Sequence, residues 1–436
     1  MAGERLGSVD RAWLRLDRPD NPMRITGVLT FDAPLDLARL RRTLEERLLA
    51  LPRFRQRVEG SRWVDVERFD VANHVEHVVL PPGADRALLS RRIGALVSTR
   101  LDPARPLWRL TALENPDGRT VLVARVHHCV GDGFALMAVL LGITDASPEG
   151  GDAPREVDRP PSRGGWRRRL SSASLGASAL DLLRLLAAPR QPETRLRGPL
   201  GLRKRVAWSP PVPLSEVKAT ARALGGTVND VLMAAVAGAL RRYLLAHGER
   251  PPALRCTVPV SLRAASEMRA LGNRFGLVFV DLPLDLTTPR ARYAALKRRM
   301  DRLKRSPEAL LLWQLMRLTG AGPRWLEALA AAVLGAKASM VVTNVPGPRE
   351  PRYLAGQRIQ TIMFWVPQAG RIGVGVSVFS YAGEVRLGLS VDERLVRDPE
   401  RVLQAFGDEL EALAGLGGEV IGRAGADPSA PSPPAR

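Results

Sequence analysis

The stretch from Thr120 to Ile143 constrains the fold more than any other. It opens with TVLVARV, a β-branched run that predicts a strand. It closes with GFALMAVLLGI (Gly133–Ile143), apolar on nearly every side, which predicts a buried helix. Between them lies HHCVGDG, in a chain with only five histidines. A strand feeding a helix through a tight turn is the working unit of a layered α/β protein, and sites gather at such strand ends. Successive strand side chains face opposite ways, so His127 and His128 do different jobs. Gly131 and Gly133 permit the turn. Asp132 is placed to pin it through a salt bridge or backbone N–H groups.

The same pattern of strands and helices extends along the chain. Met23–Phe31 reads as a strand, followed by a helix with Leu37, Leu40, Leu44 and Leu48 on one face. From Ser147 to Pro213 the composition shifts to Pro, Gly, Ser and Arg, the signature of a crossover. Periodic structure resumes at Thr227–Ala246, where Thr227 and Asp230 have the spacing of a helix cap. LRCTVPVSL, GLVFVDLP, SMVVTNV, RIGVGVSVF and EVRLGLSV then read as strands. These boundaries predict a lobe over 1–146, a crossover over 147–213, a second lobe over 214–420 and a disordered tail over 421–436. No internal repeat is visible.

Composition excludes several classes. The net charge of +20 favours anionic partners such as phosphorylated small molecules, anionic lipid or nucleic acid. Two cysteines, Cys129 and Cys256, make no disulfide framework and no metal-ligand spacing, which points to a cytoplasmic protein. The charged N-terminus does not read as a signal peptide. No uncharged run approaches the ~18 residues of a membrane span. His74 and His77 lie apart from the pair at 127–128 and form no zinc signature. On residue type alone, a strand histidine is more often a packed, hydrogen-bonded residue than a catalyst. A Cys129 nucleophile has little support, because alternation puts it opposite whichever face His128 uses.

HHCVGDG fits the HHxxxDG pattern of the CoA-dependent acyltransferase superfamily, which includes chloramphenicol acetyltransferase and peptide-synthetase condensation domains. LDPARPLW (Leu101–Trp108), GGTVNDVLMAAVAGALRRYL, PVSLR (Pro259–Arg263), LGNRFG (Leu271–Gly276) and TNVPGP (Thr343–Pro348) follow the same order as in one branch of it. In these features the chain resembles the bacterial wax ester synthase/diacylglycerol acyltransferase family over most of its length. The resemblance implies an α/β fold of two chloramphenicol-acetyltransferase-like lobes with mixed sheets, a long crossover, and an active-site tunnel between the lobes. It implies acyl-CoA as a substrate, diacylglycerol or a fatty alcohol as acceptor, triacylglycerol or wax ester as product, and no permanently bound cofactor or metal.

Residue by residue, the resemblance makes His128 the general base and His127 a support for the strand. Asp132 and Gly133 would hold the loop, Asp132 by pairing with an arginine. Arg53, Arg55 and Arg57 are candidates for that partner. Asn229, beside Asp230, is one candidate oxyanion donor, with helix capping as the equal alternative; Asn344 and Ser377 are others. Pro106, Leu107 and Trp108 read as packing, and Pro346–Pro348 as a turn lining the cleft. The helix near 174–187, preceded by Arg167–Arg169, is a candidate contact with a membrane or lipid-droplet surface, with an ordinary packed helix as the alternative. Nucleic acid is not expected, since no helix-turn-helix or aromatic-interleaved basic sheet is evident. Two further readings are a condensation-type enzyme using carrier-protein thioesters, and a non-enzymatic basic protein coating lipid surfaces.

Overall fold

The computed structural model describes residues 4–150, 187–264, 267, 270–304 and 306–425. The opening helix is α1 (Ser8–Leu16). The first sheet has the order β14-β1-β6-β5-β4. It is built from β1 (Arg24–Phe31), β4 (Val75–Val79), β5 (Trp108–Glu114), β6 (Thr120–His127) and β14 (Thr361–Trp365). Its β4–β5 pair is parallel and the others antiparallel. Two short hairpins stand apart: β2 (Gln56–Glu59) with β3 (Arg62–Asp65), and β12 (Tyr353–Leu354) with β13 (Gln357–Arg358).

The second sheet has the order β10-β9-β11-β15-β16-β7, with β8 beside β16. Its strands are β7 (Lys204–Trp208), β8 (Val212–Pro213), β9 (Leu254–Ser261), β10 (Phe275–Leu282), β11 (Met340–Pro346), β15 (Val374–Tyr381) and β16 (Glu384–Asp392). β11 runs parallel to both neighbours and the remaining pairs are antiparallel. Both sheets are therefore mixed, as the resemblance implies. The Val228–Ala246 helix is buried continuously from Asp230 to Leu240 and packs against the Pro399–Gly425 helix. Among the described residues no single helix is long and apolar enough to cross a membrane.

Alternation in β1 and β6 gives the first sheet two chemically different faces. Ile25, Gly27, Ala124 and Val126 face an apolar cavity of about 130 Å³. Arg24 and Arg125, on the opposite face, donate to the last carbonyls of α3 (Arg86–Ser98) and to Thr99 O. Leu96 O also accepts from the Thr99 N–H at 3.2 Å, and the two buried guanidinium groups supply the further donors this helix end calls for. The helix predicted from Leu37 forms as α2 (Leu37–Thr43), continued by a π-helical turn over Leu44–Leu48.

Two sequence expectations change here. The helix α4 (Gly133–Ile143) forms as predicted but is not buried: only Ala135 is, and most of the rest is half-exposed. The cavity lies between it and the sheet, so Leu136, Met137 and Leu140 pack at the margin of the core and line the cavity as well. At the other end, the last helix runs to Gly425, into the segment whose composition suggested a tail. The candidate surface helix at 174–187 and its preceding arginines fall outside the described residues, apart from Ala187.

Candidate active site

The two histidines have different surroundings. His127 ends β6, paired with Arg24, and is 2 % exposed. Its Nδ1 accepts from the Cys129 N–H at 3.1 Å, and its Nε2 is sealed without a partner among the described residues. Burial, the main cause, pulls its pKa down to about 4. His128 lies one residue beyond the strand, with its N–H on Met23 O at 2.9 Å. Trp13 of α1 stacks on its ring, with centroids 4.1 Å apart and planes within 11°. The ring is largely buried, and Nε2 has no hydrogen-bond partner among the described residues.

The protonation of His128 follows from its neighbours. Its Nδ1 lies 2.9 Å from Asn273 Oδ1. Asn273 Nδ2 donates to Asp10 Oδ1 at 2.9 Å and to His128 O at 2.6 Å. A carboxylate and a carbonyl only accept, so the amide must present its oxygen to the imidazole. Nδ1 therefore carries the proton and Nε2 keeps a lone pair. Burial lowers the His128 pKa from its ordinary value, partly offset by Asp132 and Asn273, so the ring is neutral near neutrality. The Asn273 N–H also bonds Asp10 Oδ1, and Arg53 reaches Asp10 Oδ2 at 3.3 Å and Val130 O at 3.2 Å. Gly272 makes this approach possible. Its φ is +91°, and a Cβ there would lie 3.0 Å from Arg53 Nη1.

Asp132 caps α4 through Ala135 N–H at 2.9 Å. Its arginine partner is Arg263, at 2.9 Å, with both side chains nearly inaccessible. This corrects the expectation of Arg53, Arg55 or Arg57. Arg53 serves Asp10, while Arg55 and Arg57 pair with Asp65 and Glu59. Arg263 also donates to the carbonyls of Glu267, Ala270 and Gly272, so one guanidinium ties the end of β9 to the start of α4. Gly133 opens α4 at the cavity wall.

Asp230 makes the predicted capping box with Thr227, its Oδ2 accepting from Thr227 N–H at 2.8 Å. Asn229 accepts from Asn344 Nδ2 at 3.1 Å, so the fold brings those two together, though neither bonds His128. Ser377 is buried, with its hydroxyl unpaired among the described residues. Burial raises the Cys129 thiol well above its ordinary range, which disfavours a thiolate. No group of His, Cys, Asp and Glu among the described residues could hold a metal. Trp13, Asp10 and Asn273 were not singled out by the sequence. Their only local signal is Asp10 and Trp13 three apart in a short helix, and an Asn beside the glycine of LGNRFG.

Two interlocked mixed sheets with an HHxxxDG turn define a two-lobed α/β protein of the chloramphenicol acetyltransferase type. A family profile for the wax ester synthase/diacylglycerol acyltransferase catalytic domain matches residues 6–190, and one for the C-terminal domain of that family matches 271–414. A Mycobacterium tuberculosis relative named "probable diacyglycerol O-acyltransferase tgs1" is 29 % identical over 404 residues, 86 % of this chain and 87 % of that one. Two solved structures share the fold. The wax ester synthase/diacylglycerol acyltransferase of Marinobacter aquaeolei has a TM-score of 0.71 at 24 % identity, over 95 % of this chain and all of that one. The first condensation domain of the calcium-dependent antibiotic synthetase has 0.63 at 17 %, over 99 % and 97 %. The chain belongs to the wax ester synthase/diacylglycerol acyltransferase family.

Proposed function

We propose that this chain, an O-acyltransferase that forms triacylglycerol or wax ester, uses His128 as its general base and acyl-CoA as its acyl donor. The observation that carries the mechanism is the hydrogen bond from His128 Nδ1–H to Asn273, which leaves Nε2 unprotonated and without a partner among the described residues. The acceptor hydroxyl gives its proton to Nε2 as its oxygen attacks the thioester carbonyl. Collapse of the tetrahedral intermediate breaks the C–S bond, and the CoA thiolate takes the proton back from the imidazolium. A thioester is already activated, so no acyl-enzyme is needed, and no resident cofactor enters the balance.

Asn229 is the proposed oxyanion donor. Its carbonyl is occupied by Asn344, and its NH₂ has no described partner. The hydroxyl of Ser377 is the second candidate. The apolar cavity under α4 is the proposed seat of the acyl chain, since Val126 and Gly133, on either side of the histidine turn, both line it. The positive surplus draws in the CoA phosphates. The acceptor is diacylglycerol, a fatty alcohol, or both, met at a lipid surface.

The test is thiol release by the purified chain from palmitoyl-CoA with dioleoylglycerol or hexadecanol. His128→Ala should cut the rate by about 10²–10⁴ while the circular dichroism spectrum is unchanged. An alanine variant of undiminished rate removes the base. Release with a loaded carrier protein alone, and never with free acyl-CoA, would favour the condensation reading that the shared fold leaves available.

A further inference from the structure

The Arg324–Gly335 helix is inside out. Its one carboxylate, Glu327, is 4 % exposed and paired with Arg15 at 3.0 Å. Its outer face carries Trp325, 68 % exposed, Leu329, 54 % exposed, and the exposed Ala328 and Ala332. Leu318, at the end of the preceding helix (Glu308–Ala321), adds a third large apolar side chain, 65 % exposed. Positions 325, 328, 329 and 332 fall on one helical stripe. A surface helix in water puts its carboxylates outward and its Trp and Leu inward; here Glu327 is turned in while Trp325 and Leu329 face out. Contiguous apolar surface of this kind marks an interaction site.

We propose that this face, centred on Trp325 and flanked by Leu318 and Leu329, docks the protein on a lipid surface that holds its acceptor. The inference rests on the reading of the acceptor as a water-insoluble lipid. Charge supports the choice of occupant. Glu327 is the only acidic residue from Arg317 to Ala332, and it is turned inward, while Arg317 and Arg324 are exposed at the edge of the stripe. An apolar stripe with a basic margin fits an anionic lipid layer.

The position in the fold supports it as well. The helix pair lies directly on α1. Arg11 donates to Gly320 O through Nε at 2.9 Å and Nη2 at 2.6 Å, and Arg15 Nη1 to Gly322 O at 3.2 Å. A Cβ on Gly320 would meet Ser8 O at 2.2 Å, so the contact is backbone to backbone. The same α1 carries Trp13 on the His128 ring and Asp10 on Asn273. The apolar face is thus one helix removed from the base.

Co-sedimentation of the full chain with vesicles tests this, using phosphatidylcholine alone or mixed with phosphatidylglycerol, each carrying dioleoylglycerol. The Leu318→Ser/Trp325→Ser/Leu329→Ser variant should bind both vesicles at least about tenfold more weakly. It should lose rate on vesicle-borne dioleoylglycerol yet keep its rate on a short soluble alcohol. Arg317→Gln/Arg324→Gln should lose only the anionic increment, about fivefold per arginine, and that loss should vanish at high salt. The proposal falls if the triple variant binds vesicles like the wild type. It falls too if the wild type is a dimer that the triple variant splits, since the face then joins two copies. A wild type that binds vesicles through this face but releases no thiol with any acceptor would overturn the acyl-transfer mechanism and leave the docking face standing.

Discussion

At the scale of single residues, Asn273 does what the histidine motif cannot do alone. An isolated imidazole places its proton on either nitrogen, and only one tautomer leaves Nε2 basic. Asn273→Ala removes the acceptor that selects it. The expected result is kcat lower by on the order of tenfold to a hundredfold, with the KM for acyl-CoA changed by less than about twofold. Equal losses in both, or none, would make Asn273 structural. Because burial lowers the His128 pKa, the acid limb of wild-type kcat/KM should lie below pH 6.5. A limb above that value would mean a charged partner has been overlooked. From the sequence His128 stood out, because paired histidines before an Asp between glycines form a short local pattern. Asn273 did not, because it stands 145 positions along the chain from His128 and meets it only when the chain folds back.

Among the elements, α4, β9 and the loop after it act as one clamp around Asp132. Arg263 holds four acceptors, Asp132 at the start of α4 and three carbonyls of the loop after β9, and both members of the ion pair are nearly inaccessible. Removing one partner strands the other, a loss of about 3–5 kcal/mol. Arg263→Met should lower the unfolding free energy in urea by that order, while Arg57→Met, at an exposed pair, should change it by less than about 1 kcal/mol. Comparable effects from both would show that the clamp is not what holds the turn. Sequence reasoning found these elements well. Thr120–Val126, Gly133–Ile143, the Thr227 cap and five strands of the second sheet all formed where their periodicity and capping residues placed them. The burial of α4 was misread because an all-apolar helix has the same pattern whether it meets packed core or lines a cavity.

For the whole molecule, β14 is the element that locks the halves together. It lies beyond residue 360 in sequence yet pairs with β1, register Thr26 to Trp365 through Thr30 to Thr361. Phe364 meets Phe379 edge-on, and Trp365 likewise meets Trp208, so each sheet is closed by the other. Global stability should carry a histidine signature in pH. Burial lowers the pKa of His74, His127 and His128, so the folded chain holds all three neutral while the unfolded chain protonates them near 6.5. The unfolded state then binds more protons, and stability falls as pH drops below 6.5, down to about 4 where His127 itself titrates in the fold. A Tm that is flat across that window would contradict the burial of these rings. Taken alone, the sequence determined the layered α/β class, most element positions, the histidine turn and the family, because each is written in contiguous residues. Only the tertiary structure decided that Arg263 meets Asp132, that Asn273 and Asp10 orient His128, and that β14 crosses to the first sheet. Those pairings join segments far apart in the chain, and propensity and periodicity carry no information about which distant partner a residue finds.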